Sequence, residues 1–360
     1  MRALTRAGAA LGLVALSLLC ATAVLEGGIR WYHWLQGRPF PADATFLVGD
    51  PRLGWRPGRE LRVERKLSDA AGNPYQARVT TDRDGFRRFA AADPGQPRIL
   101  FIGDSFTHAI EVGDERAYWA IFAHEQPDYA VSAIGAGGYG TLQQALLLEE
   151  VAPRLRPDIV IWQLCANDLI NNLFEAERQS ARHNKLRRRP YWEEGAIVYR
   201  NPAPLGLWLV DRVYDTTGLR VLKLARQRSQ MLLARLHGPG DEDGFGGAEG
   251  TALRARAIAA TAAILERSRA SDPGRRMLSF SVGDAADDGA ALRAISAASG
   301  VPFLGHYGSR AVARHRPGFE VFARDGRHFN DHGHAALGEL LVADFDAWRA
   351  SEAVDVARVE

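Results

Sequence analysis

The chain has little cysteine. Its 360 residues include only two, Cys20 and Cys165. A framework of several disulfides is therefore excluded, and the paired spacing of a zinc ribbon is absent. A content of 46% hydrophobic and 24% charged residues is ordinary for a globular protein. The length is sufficient for one large domain or two modest ones.

An excess of either charge is also missing. The 45 Lys and Arg residues are nearly balanced by 43 Asp and Glu, so the formal net charge is +2. Domains that bind nucleic acid usually carry a marked basic excess or a basic stripe. We therefore expect no nucleic-acid partner.

One long apolar run is present, at the N-terminus. It extends from Ala7 to Leu25, follows Arg2 and Arg6, and is closed by Glu26. A helix over this run would be about 28 Å long, enough to cross the core of a bilayer. This length favours a membrane anchor over a cleaved signal peptide, although Ala21-Thr22-Ala23 resembles a cleavage site. In either case we expect an extracytoplasmic protein, tethered to the cytoplasmic membrane if the helix is retained.

Residues 1–30 thus form the predicted anchor or signal segment, and residues 31–97 a small extension. Apolar and polar residues alternate from Leu61 to Leu67 and again from Tyr75 to Thr80, with a turn at Gly72-Asn73-Pro74 between them. Alternation on both sides of a turn predicts an antiparallel hairpin, which we expect to lie beside the main sheet.

From Arg98 onward the pattern becomes strand, loop and helix, repeated. Predicted strands cover 98–102, 129–134, 158–164, 277–282 and 301–304, and predicted helices cover 117–125, 141–151, 251–269 and 287–298. Short apolar strands alternating with helices are typical of a three-layer, doubly wound α/β fold with a mainly parallel sheet. We assign this domain to residues 98–350.

The alternation is interrupted at about 171–250, where we predict a helical insertion of the kind that often forms a lid or binding arm. A basic run lies between Lys185 and Arg189. We interpret it as a solvated helix face, the alternative being a grip on anionic glycan or phospholipid headgroups. The amphipathic stretch from Trp208 to Leu236 favours packing on the domain over lying on a membrane.

Three successive strand ends carry residues suited to acyl transfer. Ser105 follows the first strand, Gly138 lies in a glycine-rich loop after the second, and Asn167 follows the third. The carboxyl ends of parallel strands meet at one edge of the sheet, where ligands bind. A serine there is a candidate nucleophile, and a glycine N–H and an asparagine amide are candidate oxyanion donors. Taken singly, each residue also fits a helix cap or a tight turn.

A base for this serine is found near the C-terminus. In Asp325-Gly326-Arg327-His328, a carboxylate three residues before a histidine can orient its imidazole. Asp331 and His334 repeat the same spacing, and spacing alone does not choose between the two pairs. A metal site built from the histidines at 328, 332 and 334 with Asp331 is the less favoured alternative.

Four blocks of sequence, in order, resemble those of the SGNH (GDSL) hydrolase family. They are Gly103-Asp104-Ser105, the loop from Gly135 to Thr141, Cys165-Ala166-Asn167-Asp168, and Asp325-Gly326-Arg327-His328. The resemblance covers about 98–349 and implies a flavodoxin-like sheet. The chain departs from the family pattern at Ala133, where an asparagine is common, and at Cys165, which replaces a glycine.

The resemblance implies a role for each candidate residue. Ser105 would be the nucleophile, and His328 the base oriented by Asp325. The Ser105 and Gly138 N–H groups and the Asn167 amide would form the oxyanion hole. The resemblance also favours Asp325–His328 over Asp331–His334, and it implies neither a cofactor nor a metal.

The resemblance further implies a serine esterase acting on O-acyl or O-acetyl groups. Members of the family with an N-terminal anchor and a Gly-Tyr-Gly-Thr loop look like extracytoplasmic proteins tied to envelope polysaccharides. The expected partners are therefore an acylated glycan and the membrane. The alternatives are a glycan O-acetyltransferase with the same catalytic residues and a non-catalytic polysaccharide-binding or assembly protein.

Overall fold

The computed structural model describes residues 2–35, 46–88, 95–180, 183, 187–203, 205–236, 245, 249–283, 286–314 and 319–359. The chain divides into two compact units. Met1–Thr45 and Ala203–Gly238 form the first, here called the helical unit. Phe46–Pro202 and Pro239–Glu360 form the second, here called the sheet unit.

The elements of the described residues are numbered in chain order. The strands are β1 Leu47–Asp50, β2 Gly54–Pro57, β3 Arg62–Ser68, β4 Pro74–Thr80, β5 Arg98–Gly103, β6 Ala130–Gly135, β7 Ile159–Cys165, β8 Arg189–Glu193, β9 Ala196–Arg200, β10 Arg276–Val282 and β11 Phe303–His306. The helices are α1 Arg2–Leu35, α2 Ser105–His108, α3 Tyr118–Glu125, α4 Thr141–Leu155, α5 Ala166–Asn171, α6 Phe174–Gln179, α7 Leu205–Thr217, α8 Arg220–Leu236, α9 Gly250–Ala270, α10 Ala286–Ala298, α11 Gly308–Ala313 and α12 Asp331–Val359.

Five parallel strands form the central sheet, in the order β11-β10-β7-β5-β6. Successive side chains of a strand point to opposite faces, and β5 shows this directly. Leu100 and Ile102 belong to one hydrophobic core, whereas Ile99 and Phe101 belong to the other. Apolar side chains are thus buried on both faces between helices, which confirms the predicted three-layer α/β fold.

The strand order places a switch point at the centre of the sheet. The chain passes from β5 to β6 on one side and then to β7 on the other side of β5. Loops that leave neighbouring strands in opposite directions open a crevice at the carboxyl edge, where ligands of open α/β sheets bind. Ser105 follows β5 at this point.

The predicted N-terminal hairpin is confirmed as β3 and β4, paired antiparallel from Arg62↔Thr80 to Ser68↔Pro74. It contacts two loops that matter below. The Tyr75 hydroxyl donates to the Glu111 carbonyl at 3.1 Å. The Arg324 N–H donates to the Ser68 carbonyl at 3.0 Å. The hairpin therefore braces both the loop after α2 and the loop that precedes α12.

The insertion is not purely helical as predicted, because β8 and β9 form an antiparallel hairpin within it. The interpretation of the basic run as a solvated helix face is wrong for Arg189, which is fully buried in β8. Its Nη1 lies 3.2 Å from Glu177 Oε2, and its guanidinium covers the Trp55 ring at 4.9 Å. The spacing of the basic residues in the sequence did not indicate that Arg189 pairs with the buried Glu177 carboxylate. Lys185 lies outside the described residues.

Arg87 organises the loop that follows α2. Its buried guanidinium donates to the carbonyls of His108, Ala109 and Val112 and pairs with Asp114 at 2.9 Å. It also lies 5.1 Å from the Trp119 ring centroid. One side chain thereby binds three backbone carbonyls of this loop, of which Ala109 also accepts the Val112 N–H at 3.3 Å.

We expect Arg87→Met to lower the free energy of unfolding by about 3–5 kcal/mol, because it removes the positive charge that pairs with the half-buried Asp114 carboxylate and three hydrogen bonds to backbone carbonyls. Urea unfolding followed by circular dichroism measures the change. Arg83→Met is the matched control, since the Arg83 side chain is 83% exposed and its loss should cost less than about 0.5 kcal/mol. Equal values for the two variants would contradict the role given to Arg87.

Candidate active site

Ser105 is the first residue of α2, and the preceding aspartate caps this helix. Asp104 Oδ1 accepts a hydrogen bond from the Phe106 N–H at 3.0 Å. The Asp104 N–H in turn donates to Gln163 Oε1 of β7 at 3.0 Å. Capping therefore falls to Asp104, which leaves the Ser105 hydroxyl available for another contact.

Two glycines allow α2 to approach the strand ends. A Cβ on Gly103 would lie 2.2 Å from Thr107 Oγ1, and a Cβ on Gly135 would lie 2.7 Å from the Asp104 carbonyl. These distances are shorter than any real carbon contact. Glycine at both positions is thus a packing requirement of the turn that presents Ser105.

Ser105, His328 and Asp325 are joined by hydrogen bonds. His328 Nε2 lies 2.9 Å from Ser105 Oγ, and His328 Nδ1 lies 2.5 Å from Asp325 Oδ2. Asp325 Oδ1 also accepts the backbone N–H of His328 at 3.0 Å, which fixes the turn. The imidazole packs against Phe106, with ring centroids 5.4 Å apart. The structure thus brings the three residues together in the order that a serine nucleophile requires.

Burial and charge together set the protonation of this group. Burial is the largest single effect and opposes the charged forms of both residues, but their hydrogen bond, nearby charges and backbone N–H groups together outweigh it. The pKa of Asp325 is lowered to about 2. The pKa of His328 is raised above its ordinary 6.5 by the Asp325 hydrogen bond and by the charges of Glu111 and Asp325. An ionised Asp325 carboxylate therefore favours the protonated, imidazolium form of His328.

Glu111 is a carboxylate at this site that the sequence did not single out. It lies in the loop after α2, close enough to His328 for its charge to raise the pKa of the imidazole. Burial in turn raises the pKa of Glu111 itself. Arg65 and Tyr75 of the β3–β4 hairpin donate to the carbonyls of Ile110 and Glu111, which fixes this segment. Glu111 belongs to no sequence motif, so the sequence alone does not identify it.

Gly138 occupies a turn that favours glycine. The Tyr139 N–H donates to the Ala136 carbonyl at 3.1 Å, and Gly138 has φ +77° at the third position of this turn. A positive φ at that position is typical of a type II turn. The preceding strand end, Gly135, pairs with Gly103 at the end of β5. Gly138 is thus placed in the loop beside the one that carries Ser105.

Asn167 lies at the start of α5, after β7. Its Nδ2 donates to the Tyr139 carbonyl at 3.0 Å and contacts Asn171 Oδ1 at 3.3 Å. The second contact is longer than an ordinary N–H···O bond. Asn171, which helps to hold the Asn167 amide, is a second residue that sequence reasoning missed. The available sequence signal is that Asn171 follows Asn167 by four residues, which places both on one face of α5.

The departure from the family pattern at Cys165 is accommodated by the loop. The Cys165 N–H donates to Asp168 Oδ2 at 2.9 Å. Burial raises the pKa of the Cys165 thiol, so at neutral pH the thiol stays protonated and is not a nucleophile. Ala133, the other departure, is buried in β6.

The competing pair, Asp331 and His334, begins α12 and is not joined to Ser105. His334 is buried, stacks on Tyr118 with centroids 5.8 Å apart, and accepts the Tyr118 N–H at Nδ1. Burial lowers the pKa of His334 to about 3, which leaves it neutral. Among the described residues, no three His, Cys, Asp or Glu side chains are grouped so as to hold a metal ion.

The family model of the GDSL-like Lipase/Acylhydrolase family matches residues 101–336. The chain belongs to this family. The matched region contains Ser105, Gly138, Asn167 and the Asp325–His328 turn. The hairpin β3–β4 and the helix α1 precede it.

Several solved structures are similar to this acylhydrolase. Esterase EstA from Pseudoalteromonas sp., inhibited by monoethylphosphonate, is 10% identical over 71% of this chain and 100% of its own, with a TM-score of 0.40. The lipase/acylhydrolase from Enterococcus faecalis is 14% identical over 70% and 96%, with a TM-score of 0.39. A carbohydrate esterase family 2 enzyme from Corynascus thermopiles is 13% identical over 86% and 96%, with a TM-score of 0.40. No curated protein gives a significant match.

We expect Asp325→Asn to lower turnover of an ester by this acylhydrolase about 10⁴-fold, since the amide no longer stabilises the imidazolium. Only neutral His328 can accept the proton, so wild-type activity should fall as the pH drops through a pKa above 6.5. Loss of the Asp325 charge should move this acid limb to lower pH. Profiles of kcat/KM against pH for p-nitrophenyl acetate measure both effects. An unmoved limb would count against the assignment of His328.

Glu111→Gln should also shift the acid limb of kcat/KM to lower pH, because it removes a negative charge that favours the imidazolium. The effect on kcat at high pH should be small, since Ser105, His328 and Asp325 are all retained. Glu115→Gln is the matched control, as Glu115 is exposed four residues further along the chain. If both variants keep the wild-type profile, Glu111 does not influence His328.

Proposed function

We propose that this acylhydrolase is a serine esterase that cleaves O-acyl groups through an acyl-enzyme. The hydrogen-bonded chain from Asp325 through His328 to Ser105 carries this proposal. A hydroxyl 2.9 Å from an imidazole whose other nitrogen is held by a carboxylate is the arrangement that activates a serine.

The proposed reaction has two balanced steps. Ser105 Oγ attacks the ester carbonyl while its proton passes to His328 Nε2, and the alcohol leaves with that proton. Water then attacks the acyl-enzyme, again giving its proton to His328, and the acid is released as the Ser105 hydroxyl is restored. Asp325 remains ionised throughout, in line with its lowered pKa.

The oxyanion of each tetrahedral intermediate would be bound by three donors. These are the N–H groups of Ser105 and Gly138 and the Nδ2 amide of Asn167. A donor of this kind contributes about 10²–10³-fold to turnover. The support is their position, since all three follow neighbouring strands β5, β6 and β7 at the same edge of the sheet.

We further propose that the protein is tethered to a membrane by α1. Among the described residues, α1 is the one helix long and apolar enough to cross a bilayer, over Gly12–Tyr32, and a signal sequence would pass the same test. Trp31, Tyr32 and Trp34 are exposed at the end of this span. Aromatic side chains are enriched at the membrane–water interface, which favours a retained anchor.

An extracytoplasmic esterase on a tether would act on the ester groups of its surroundings, and the proposed substrate is an O-acetylated envelope polysaccharide. The close alternative is transfer of the acetyl group to a sugar hydroxyl, which uses the same residues with that hydroxyl in place of water. A polysaccharide-binding protein without activity is the non-enzymatic alternative.

Labelling with a fluorescent fluorophosphonate, followed by p-nitrophenyl acetate turnover with and without an acceptor glycan, tests these proposals. We expect wild-type protein to be labelled and Ser105→Ala to lose labelling and about 10⁶-fold in turnover. Thr107→Ser, at a buried hydroxyl nearby, is the control that should keep both. Acetylated glycan as a product would identify a transferase, and a wild type that is neither labelled nor active would exclude an esterase.

A further inference from the structure

The helical unit joins two parts of the sequence that lie far apart. The helices α7 and α8 pack on each other, and α8 packs on α1. The turn between α7 and α8 contains Gly218, which has φ +63° and donates its N–H to the Tyr214 carbonyl at 2.8 Å. We call α7 and α8 together the helical arm. The sequence favoured packing of this stretch on the catalytic domain, whereas the structure groups it with α1.

Glu26 forms the link between α1 and the helical arm. It is only 7% exposed. One carboxylate oxygen accepts the Arg30 guanidinium at 2.8 Å, and the other accepts the Val221 N–H at 3.0 Å. Val221 lies in the first turn of α8, where backbone N–H groups have no partner within the helix. A carboxylate of α1 thus caps α8, which the helix dipole also favours.

The depth of Glu26 in the proposed span follows from helix geometry. Glu26 precedes Tyr32, the last residue of the span, by six positions. At about 1.5 Å per residue this corresponds to about 9 Å. Amphipathic helices that lie on a membrane are buried about 5–10 Å into the boundary between headgroups and acyl chains. In a bilayer spanned by Gly12–Tyr32, the first turn of α8 would therefore lie at the depth of an interfacial helix.

The helical arm exposes the side chains that such a position requires. Trp208, Leu209 and Val213 of α7 and Leu224 of α8 are between 37% and 50% exposed. Leu209 and Val213 are four residues apart and so share one face of α7. Large apolar side chains on an exposed helix face favour contact with lipid.

The charge of the helical arm indicates the kind of lipid. Residues 205–236 contain six Arg or Lys residues and two Asp, a net charge of +4 in a chain whose total is +2. Juxtamembrane basic residues are attracted to anionic headgroups. We propose that the helical arm lies in the interface of a bilayer containing anionic phospholipid, held at that depth by Glu26. This proposal rests on the proposed membrane tether.

Depth measurements on nitroxide-labelled protein in nanodiscs test the proposal. The full chain with Cys20→Ala and Cys165→Ala receives one label at Leu209→Cys, Val213→Cys or Leu224→Cys. Reference labels are placed at Leu18→Cys of α1 for the bilayer core and at Glu352→Cys of α12 for water. Collision rates with oxygen and with a water-soluble nickel chelate are compared in phosphatidylcholine with and without phosphatidylglycerol.

We expect the arm labels to show a several-fold higher oxygen-to-nickel ratio than the label at position 352. Phosphatidylglycerol should raise this ratio further. Glu26→Ala should lower it at the arm while the label at position 18 is unchanged, and Glu26→Gln, which keeps an acceptor oxygen, should have a smaller effect.

A water-like ratio at all three arm positions, with a lipid-like ratio at position 18, would overturn the proposal while leaving the tether intact. Protection of the arm labels from both reagents would indicate a protein partner, such as a second copy, and would also overturn it. A water-like ratio at position 18 would instead refute the tether and the proposal together. An unchanged arm ratio in Glu26→Ala would refute the role of Glu26.

Discussion

The hydrogen bond between His328 and Ser105 is the interaction on which the site depends, and it joins residues 223 positions apart. Local contacts position each of these two residues. On the serine side, Asp104 caps α2, and Gly103 and Gly135 let that helix approach the sheet. On the histidine side, the Asp325 carboxylate holds both the imidazole and the backbone N–H of His328. Each residue is positioned by local contacts of its own loop, so the hydrogen bond between them depends on how the two loops are held relative to each other.

Much of the fold and of the site could be predicted because the relevant signals are local. Apolar strands alternating with helices indicated the parallel sheet, and the strand ends indicated that Ser105, Gly138 and Asn167 lie at one edge of it. The choice between the two Asp–His pairs is also physical. Because α12 begins at Asp331, His334 lies within the helix and its ring stacks on Tyr118 in the core. Family resemblance had favoured the same pair, but spacing alone did not distinguish the two.

The features that escaped prediction depend on long-range pairing. Arg189 belongs to a run that looked solvated, and only the fold supplies the buried Glu177 opposite it. Glu111 approaches His328 because Arg65, Tyr75 and Arg87 hold the carbonyls of its loop. The helical arm was amphipathic in sequence, but nothing in its spacing indicated α1 as the surface on which it packs. Each case requires a partner that is distant in the chain.

The β3–β4 hairpin has a consequence for comparison between relatives. It contacts the Glu111 loop on one side and, through Ser68 and Arg324, the loop that carries Asp325 on the other. Yet residues 62–80 precede the region 101–336 that defines the family. The loops that carry Glu111 and Asp325 are therefore braced by a segment outside the region that the family model matches. Their spacing depends on residues that a comparison of the matched region alone leaves out.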